Sequence, residues 1–352
     1  INEYLKDKVF NLDNVIYNNK KVLTMNKTEI KKICNDYNFG NFLTTSENQI
    51  KLNKTHKKLG IKTIGIAMLP FIDTNKTNIN NIISNDIIEY LYNLDLENKI
   101  RVIYALNLKT FKNNIKSNKI KILIDLCNNS VKSCRINCIK NTGNPLFQKN
   151  KNKAMLNRKL LLFNNPSLFL SIYIRLIELE SLNCIKNNVM LTNRFNITSD
   201  IDFENINIIH NNKKTNFALL TSKYIKKTKL KNTKLNLIPY DYTKNYYRNS
   251  LKHYKLVYSI SNFKSNLTKT ALENGLSTSL VYDNPDKKPL PKTINLFGKK
   301  YHCVNGDEID YLPYYKTQKI YLLKFKVNRL DNVKTKQVKL DNAKLNNFVY
   351  TL

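Results

Sequence analysis

Between residues 166 and 182 apolar side chains recur at Leu168, Phe169, Ile172, Tyr173, Leu176, Ile177 and Leu179. Spacings of three and four gather them on one broad face, which predicts a core-facing helix. Pro166 suits its first turn, where a missing N–H costs nothing. Upstream the period changes to two. Residues 100–108 (IRVIYALNL), 119–126 (KIKILIDL) and 133–139 (SCRINCI) alternate as half-buried strands do. Asn141-Thr142-Gly143-Asn144 supplies a tight hairpin turn, Pro145-Leu146-Phe147 begins a return strand, and 189–191 begin another. The order β-β-β-α-β predicts an α/β fold for residues 99–212, a mixed sheet with a covering helix.

The flanks are less regular. Residues 1–98 read as an N-terminal extension or small domain. It holds a helix over 28–37 capped by Thr28, a buried strand over 61–71 ending at Pro70, and an amphipathic helix over 85–94 opened by Asn85 or Asp86. Residues 213–255 are rich in lysine and tyrosine and poor in aliphatic side chains. They are expected to be a long basic extension, ordered only on a partner. Residues 256–352 predict a small α+β region with a helix over 267–273, a stiff linker over 285–291, and strands over 299–304 and 319–327. No repeat stands out.

Charge then narrows the function. Among 352 residues, 59 Lys and Arg face 26 Asp and Glu, a net charge of +33. A free chain so charged repels itself, and a polyanion is the usual remedy. An AT-rich gene also inflates lysine, and its signature is present: 7 Gly, 8 Pro and no Trp. Codon bias and an RNA partner therefore both remain as sources of the charge. Cys34, Cys127, Cys134, Cys138, Cys184 and Cys303 form no disulfide framework and read as buried thiols in a reducing compartment. The most apolar stretch, 167–182, carries Arg175 and Glu178 and reads as a core helix, so no membrane is expected as a partner. No secretory leader is visible. Together these features suggest a product made inside an organelle.

Catalytic motifs are not in evidence. The chain has no phosphate-binding glycine loop, H-E-x-x-H helix or G-x-S-x-G elbow, so no enzyme, cofactor or metal is expected. His56, His210, His253 and His302 have no carboxylate or thiol at catalytic spacing. What remains is polyanion chemistry. Lys149, Lys151, Lys153, Arg158 and Lys159 crowd residues 148–159, read as a loop just before the helix, whose N-terminus itself attracts phosphate. A solvated connection is the bland alternative. Lys213, Lys214, Lys226, Lys227, Lys229 and Lys231 add further phosphate ligands in the basic extension.

Residues 119–212 carry a resemblance. Asn128-Asn129-Ser130, Gly143-Asn144, Arg158-Lys159, Pro166, Ile185-Lys186-Asn187 and Ile208-Ile209-His210-Asn211-Asn212-Lys213 follow one another along the chain. This succession resembles the platform protein of the small ribosomal subunit, number eleven in the bacterial series. The family's glycine- and proline-rich loop and following helix have no counterpart after Leu191. Residues 301–315 (YHCVNGDEIDYLPYY) and 12–17 (LDNVIY) are similar to the small-subunit protein with the S-four RNA-binding fold. The resemblance implies a structural protein of the mitochondrial small ribosomal subunit, with ribosomal RNA and other ribosomal proteins as partners. It adds Asn128, Asn129, Arg135, His210 and Asn211 to the RNA-contacting set. One alternative is an organellar DNA- or RNA-processing protein, a maturase or homing endonuclease. Residues 68–77 (MLPFIDTNKT) resemble the latter's dodecapeptide without its glycines or a second copy. A basic accessory subunit of a membrane complex is a third class.

Overall fold

The computed structural model describes residues 2–46, 50–70, 126–127, 134, 148–248, 250–284, 288–325 and 333–352. The chain opens with α1 (Asn2–Lys6), β1 (Val9–Asn11), β2 (Ile16–Tyr17), β3 (Lys20–Lys21), α2 (Lys27–Asp36), β4 (Thr44–Thr45), α3 (Ile50–Leu59) and β5 (Ile61–Ile66). Next come α4 (Gln148–Asn164), α5 (Pro166–Lys186), β6 (Met190–Asn196), β7 (Asn207–His210), β8 (Lys213–Asn216), α6 (Phe217–Lys227), β9 (Tyr240–Thr243) and β10 (Lys255–Ser259). The last stretch holds α7 (Asn266–Glu273), β11 (Thr278–Asp283), β12 (Thr293–Leu296), β13 (Lys299–Asn305), β14 (Ile320–Lys324), α8 (Val333–Leu345) and β15 (Val349–Thr351).

A ten-stranded sheet organises the molecule, in the order β12-β13-β14-β11-β10-β9-β6-β5-β4 with β15 also on β11. Every pair from β13 to β5 is parallel, and only the edges β12 and β4 pair antiparallel. The fold is α/β with a mixed sheet, as the pattern predicts. The sheet nevertheless crosses the expected boundaries at 98, 212 and 255. Its strands come from both flanks as well as from β6, so the flanks are part of one sheet rather than extensions around a central one.

Local chemistry explains the elements. The Asn26 side chain accepts from the Thr28 and Glu29 amides while Glu29 reaches back to the Asn26 N–H, so α2 starts one residue before the predicted Thr28 cap. Pro166 fills the first turn of α5 as expected, and Asn165, not anticipated, caps it. Asn216 accepts from the Ala218 and Leu219 amides to begin α6. Parallel strands are covered on both faces, and all seven residues of β6 are buried. Gly65 lies at a bulge between β5 and β6, where any Cβ would collide with the Arg194 carbonyl and the Ile197 side chain.

One face of the sheet is closed by α5, α6 and the N-terminal segment. Its centre is aromatic: Tyr173 on α5 meets Phe42, Phe169, Phe195, Phe203 and Phe217 at 5.6–6.2 Å between ring centroids. Such tilted contacts add specific attraction to a large buried area. Leu168, Phe169, Ile172, Tyr173 and Ile177 are buried as predicted, and Leu176 is half-buried against the same core. The opposite face gathers Ile61, Met190, Tyr240, Val257, Tyr311 and Tyr321. Among the described residues no single helix is long and apolar enough to cross a membrane.

Segment 213–255 corrects an expectation. It holds β8, α6 and β9 and contributes Phe217, Ala218, Leu220, Tyr224 and Tyr254 to the main core. Few apolar residues suffice there, because Phe217, Leu220, Tyr224 and Ile225 all land on the inward face of α6. The strand predicted at 189–191 extends to Asn196, and that at 319–327 is the shorter β14. The helix over 85–94, the strand over 100–108 and the hairpin at 141–147 lie outside the described residues, as do most of the strands over 119–126 and 133–139.

Candidate nucleic-acid interface

The predicted basic loop is a helix. Residues 148–159 form most of α4, and its cations do not share one environment. Lys149 lies in its first turn, and Lys151 and Lys153 are half-buried. Arg158 and Lys159 are buried. The Arg158 guanidinium donates to the Ala67 carbonyl, to Phe39 at 3.3 Å and to Asn41 at 3.1 Å. Burial brings its pKa down to about 10. Asn157 adds a bond to the Tyr37 carbonyl at 3.0 Å. These side chains bind the N-terminal segment to the end of β5. A phosphate has no access to Arg158 or Lys159, so both leave the RNA-contacting set and become structural.

The β7–β8 turn is also engaged internally. Asn211 and Asn212 both take the left-handed conformation, at φ of 51° and 58°, which points their N–H groups the same way. Both donate at 2.8 Å to the Asp13 carboxylate. His210 lies 3.9 Å from that carboxylate and 3.3 Å from the Tyr224 hydroxyl. The anion-binding turn is real, but a side chain of this chain fills it. Asn128, Asn129 and Arg135 lie outside the described residues.

The remaining predicted cations lie at the surface. Lys213, Lys214, Lys226, Lys227, Lys229 and Lys231 are all exposed, and so are Lys223 and Lys234. On α6, Lys223, Lys226 and Lys227 stand three and four residues apart, on the face opposite Phe217, Leu220, Tyr224 and Ile225. Lys229, Lys231 and Lys234 continue the row beyond the helix. None of these eight has an ion-pair partner among the described residues. Burial, then the charge of Lys226, lowers the pKa of His253. Lys223 was readable in advance from the same helical spacing, and Lys234 from the run of lysines that it ends.

The acids explain why this surface is so bare of negative charge. Several are committed to the interior. Arg248 is buried and held by Asp200, Asp202 and Glu204, with Nε 2.9 Å from Asp202 and 2.6 Å from Glu204. Arg194 is buried 3.2 Å from Asp310, with the Tyr242 ring 4.6 Å away. Asp310 also accepts from the Tyr240 hydroxyl at 2.8 Å, and its N–H donates to Thr55 at 2.7 Å. Asp241 accepts from the Asn196 backbone and side chain, both at 2.8 Å, and from the Tyr254 hydroxyl at 2.6 Å. Burial outweighs those donors and lifts its carboxyl to about 7. Glu180 takes Lys62 at 2.8 Å.

Among the described residues no group of His, Cys, Asp and Glu is arranged to hold a metal ion. No known family matches the chain, and no curated protein and no solved structure is significantly similar to it.

Proposed function

We propose that the chain is a structural constituent of the mitochondrial small ribosomal subunit, held there by ribosomal RNA. One observation carries the reading. Eight exposed lysines between 213 and 234 stand without acidic partners among the described residues, while buried arginines absorb carboxylates of the same protein. A fixed row of ammonium groups is the chemistry that neutralises phosphates and releases counterions. The processing-enzyme alternative gains nothing from Asp200, Asp202 and Glu204, whose carboxylates close on the Arg248 guanidinium.

The test is a salt titration of rRNA binding. If about six lysines meet phosphates, affinity falls on the order of 10³-fold between 50 and 200 mM salt. Replacing Lys226, Lys227, Lys229 and Lys231 by Gln lowers the slope by about one unit apiece. Exposed substitutions of this kind change stability within about ±0.5 kcal/mol each, so the melting temperature stays put. An unchanged slope would return these lysines to codon bias.

A further inference from the structure

The chain leaves the carboxyl end of β9 through residues 244–248, at the edge where parallel sheets receive ligands. This loop is pinned at both ends. The Lys244 N–H donates to Asp200 at 2.7 Å, and its ammonium reaches the Ser259 hydroxyl at 2.9 Å. Arg248 is buried among three carboxylates and also donates to the Ile201 carbonyl at 3.2 Å. Between these anchors the Asn245 side chain accepts from the Tyr247 N–H at 3.0 Å.

What the anchored loop displays is an aromatic ring. Tyr247 is 74% exposed, the most exposed aromatic side chain among the described residues. Its ring centroid lies 3.9 Å from that of Tyr246, at 35° between planes. The neighbouring Tyr247 phenol raises the pKa of Tyr246. Tyr246 in turn packs against the buried cluster that holds Tyr258, Ile260 and Leu272. The exposed ring therefore has a rigid backing.

A lone exposed apolar residue needs no explanation. A ring leaning on a second ring, on a loop whose anchors are buried charges, is preorganised for a flat partner. We propose that Tyr247 is a stacking platform for an unpaired base in a single-stranded stretch of RNA. The inference rests on the RNA-binding reading above and adds what the lysines cannot supply, a preference for unpaired over duplex RNA. Every base offers a π-face, so the contact is tolerant of sequence.

The experiment titrates the full chain with a short oligoadenosine strand and with an RNA duplex at fixed salt. Tyr247→Ala weakens binding of the strand by about 5- to 150-fold, the range for loss of one stacked base. It leaves duplex affinity and the salt slope unchanged. Tyr247→Phe binds as the original does, and Tyr247→Leu, apolar but without a π-system, behaves like the alanine variant. Equal strand affinity for Tyr247→Ala and the original, with the steep slope retained, overturns the platform and spares the lysine reading. Equal losses on strand and duplex, or full retention by Tyr247→Leu, also overturn it. Failure of the original chain to bind either RNA overturns both.

Discussion

Replacing Asp310 by Asn leaves the shape of the interior almost untouched and removes one charge. Asp310 is fully buried and is the carboxylate facing the buried Arg194 guanidinium, whose Nε finds no acceptor among the described residues. It also receives the hydroxyls of Tyr240 at 2.8 Å and Tyr242 at 3.3 Å. An asparagine oxygen can serve one of these donors, but its NH2 group opposes the rest. Removing one member of a buried pair costs about 3–5 kcal/mol, because the other charge is stranded. Against a total stability of about 5–15 kcal/mol, that is a large fraction. Taking a urea slope of about 3 kcal/mol/M, the midpoint falls by roughly 1–1.7 M. Equilibrium urea unfolding followed by circular dichroism reads this directly. The double variant Arg194→Met, Asp310→Leu recovers most of the loss, since neither charge then needs a partner. A shift of Asp310→Asn within about 0.5 kcal/mol, the ordinary range of surface changes, would refute the view that this pair joins α3, β6, β9 and the 306–312 loop.

Two more predictions follow from the buried charges. Arg158→Gln lowers the melting temperature and leaves the salt slope of RNA binding unchanged. Hydrogen bonds to a charged group contribute about 1.5–3 kcal/mol, and normal stability with a reduced slope would return Arg158 to the interface. Asp241 sets a pH dependence. Its folded pKa of about 7 stands above the roughly 3.9 of an unfolded Asp. Its contribution to stability is therefore full below about pH 4 and is lost as pH rises through about 7, because the folded state holds the extra proton in that window. Asp241→Asn mimics the protonated form, so its stability relative to the original rises from pH 4 to 7 and then levels. A difference that is flat across that range would contradict the assignment.

The elements legible in the sequence are those whose signal is local. Pro166 with an apolar three-and-four spacing specifies α5, and β13 and α7 likewise stand where alternation and helical spacing put them. The basic stretch before Pro166 misled because a run of Lys and Asn reads as solvated. The fate of Arg158 is decided by the carbonyls of Phe39, Asn41 and Ala67, about a hundred residues away in sequence, which no local pattern reveals. Segment 213–255 misled for the converse reason. Counting lysines obscured Phe217, Leu220, Tyr224 and Ile225, whose spacing marks the inner face of α6. Of the interface, the exposed lysine row was readable. The filling of the Asn211–Asn212 turn by Asp13 was not, because the pairing is long-range.

The central claim is that ribosomal RNA holds this folded, lysine-faced chain in a small subunit. Sedimentation of the tagged protein from mitochondrial lysate, with and without RNase, tests it most directly. The account predicts that the protein travels with the small subunit in moderate salt, and that RNase or high salt returns it to the top of the gradient. Migration as a free protein before RNase treatment, or with a membrane fraction that RNase does not disturb, would contradict it.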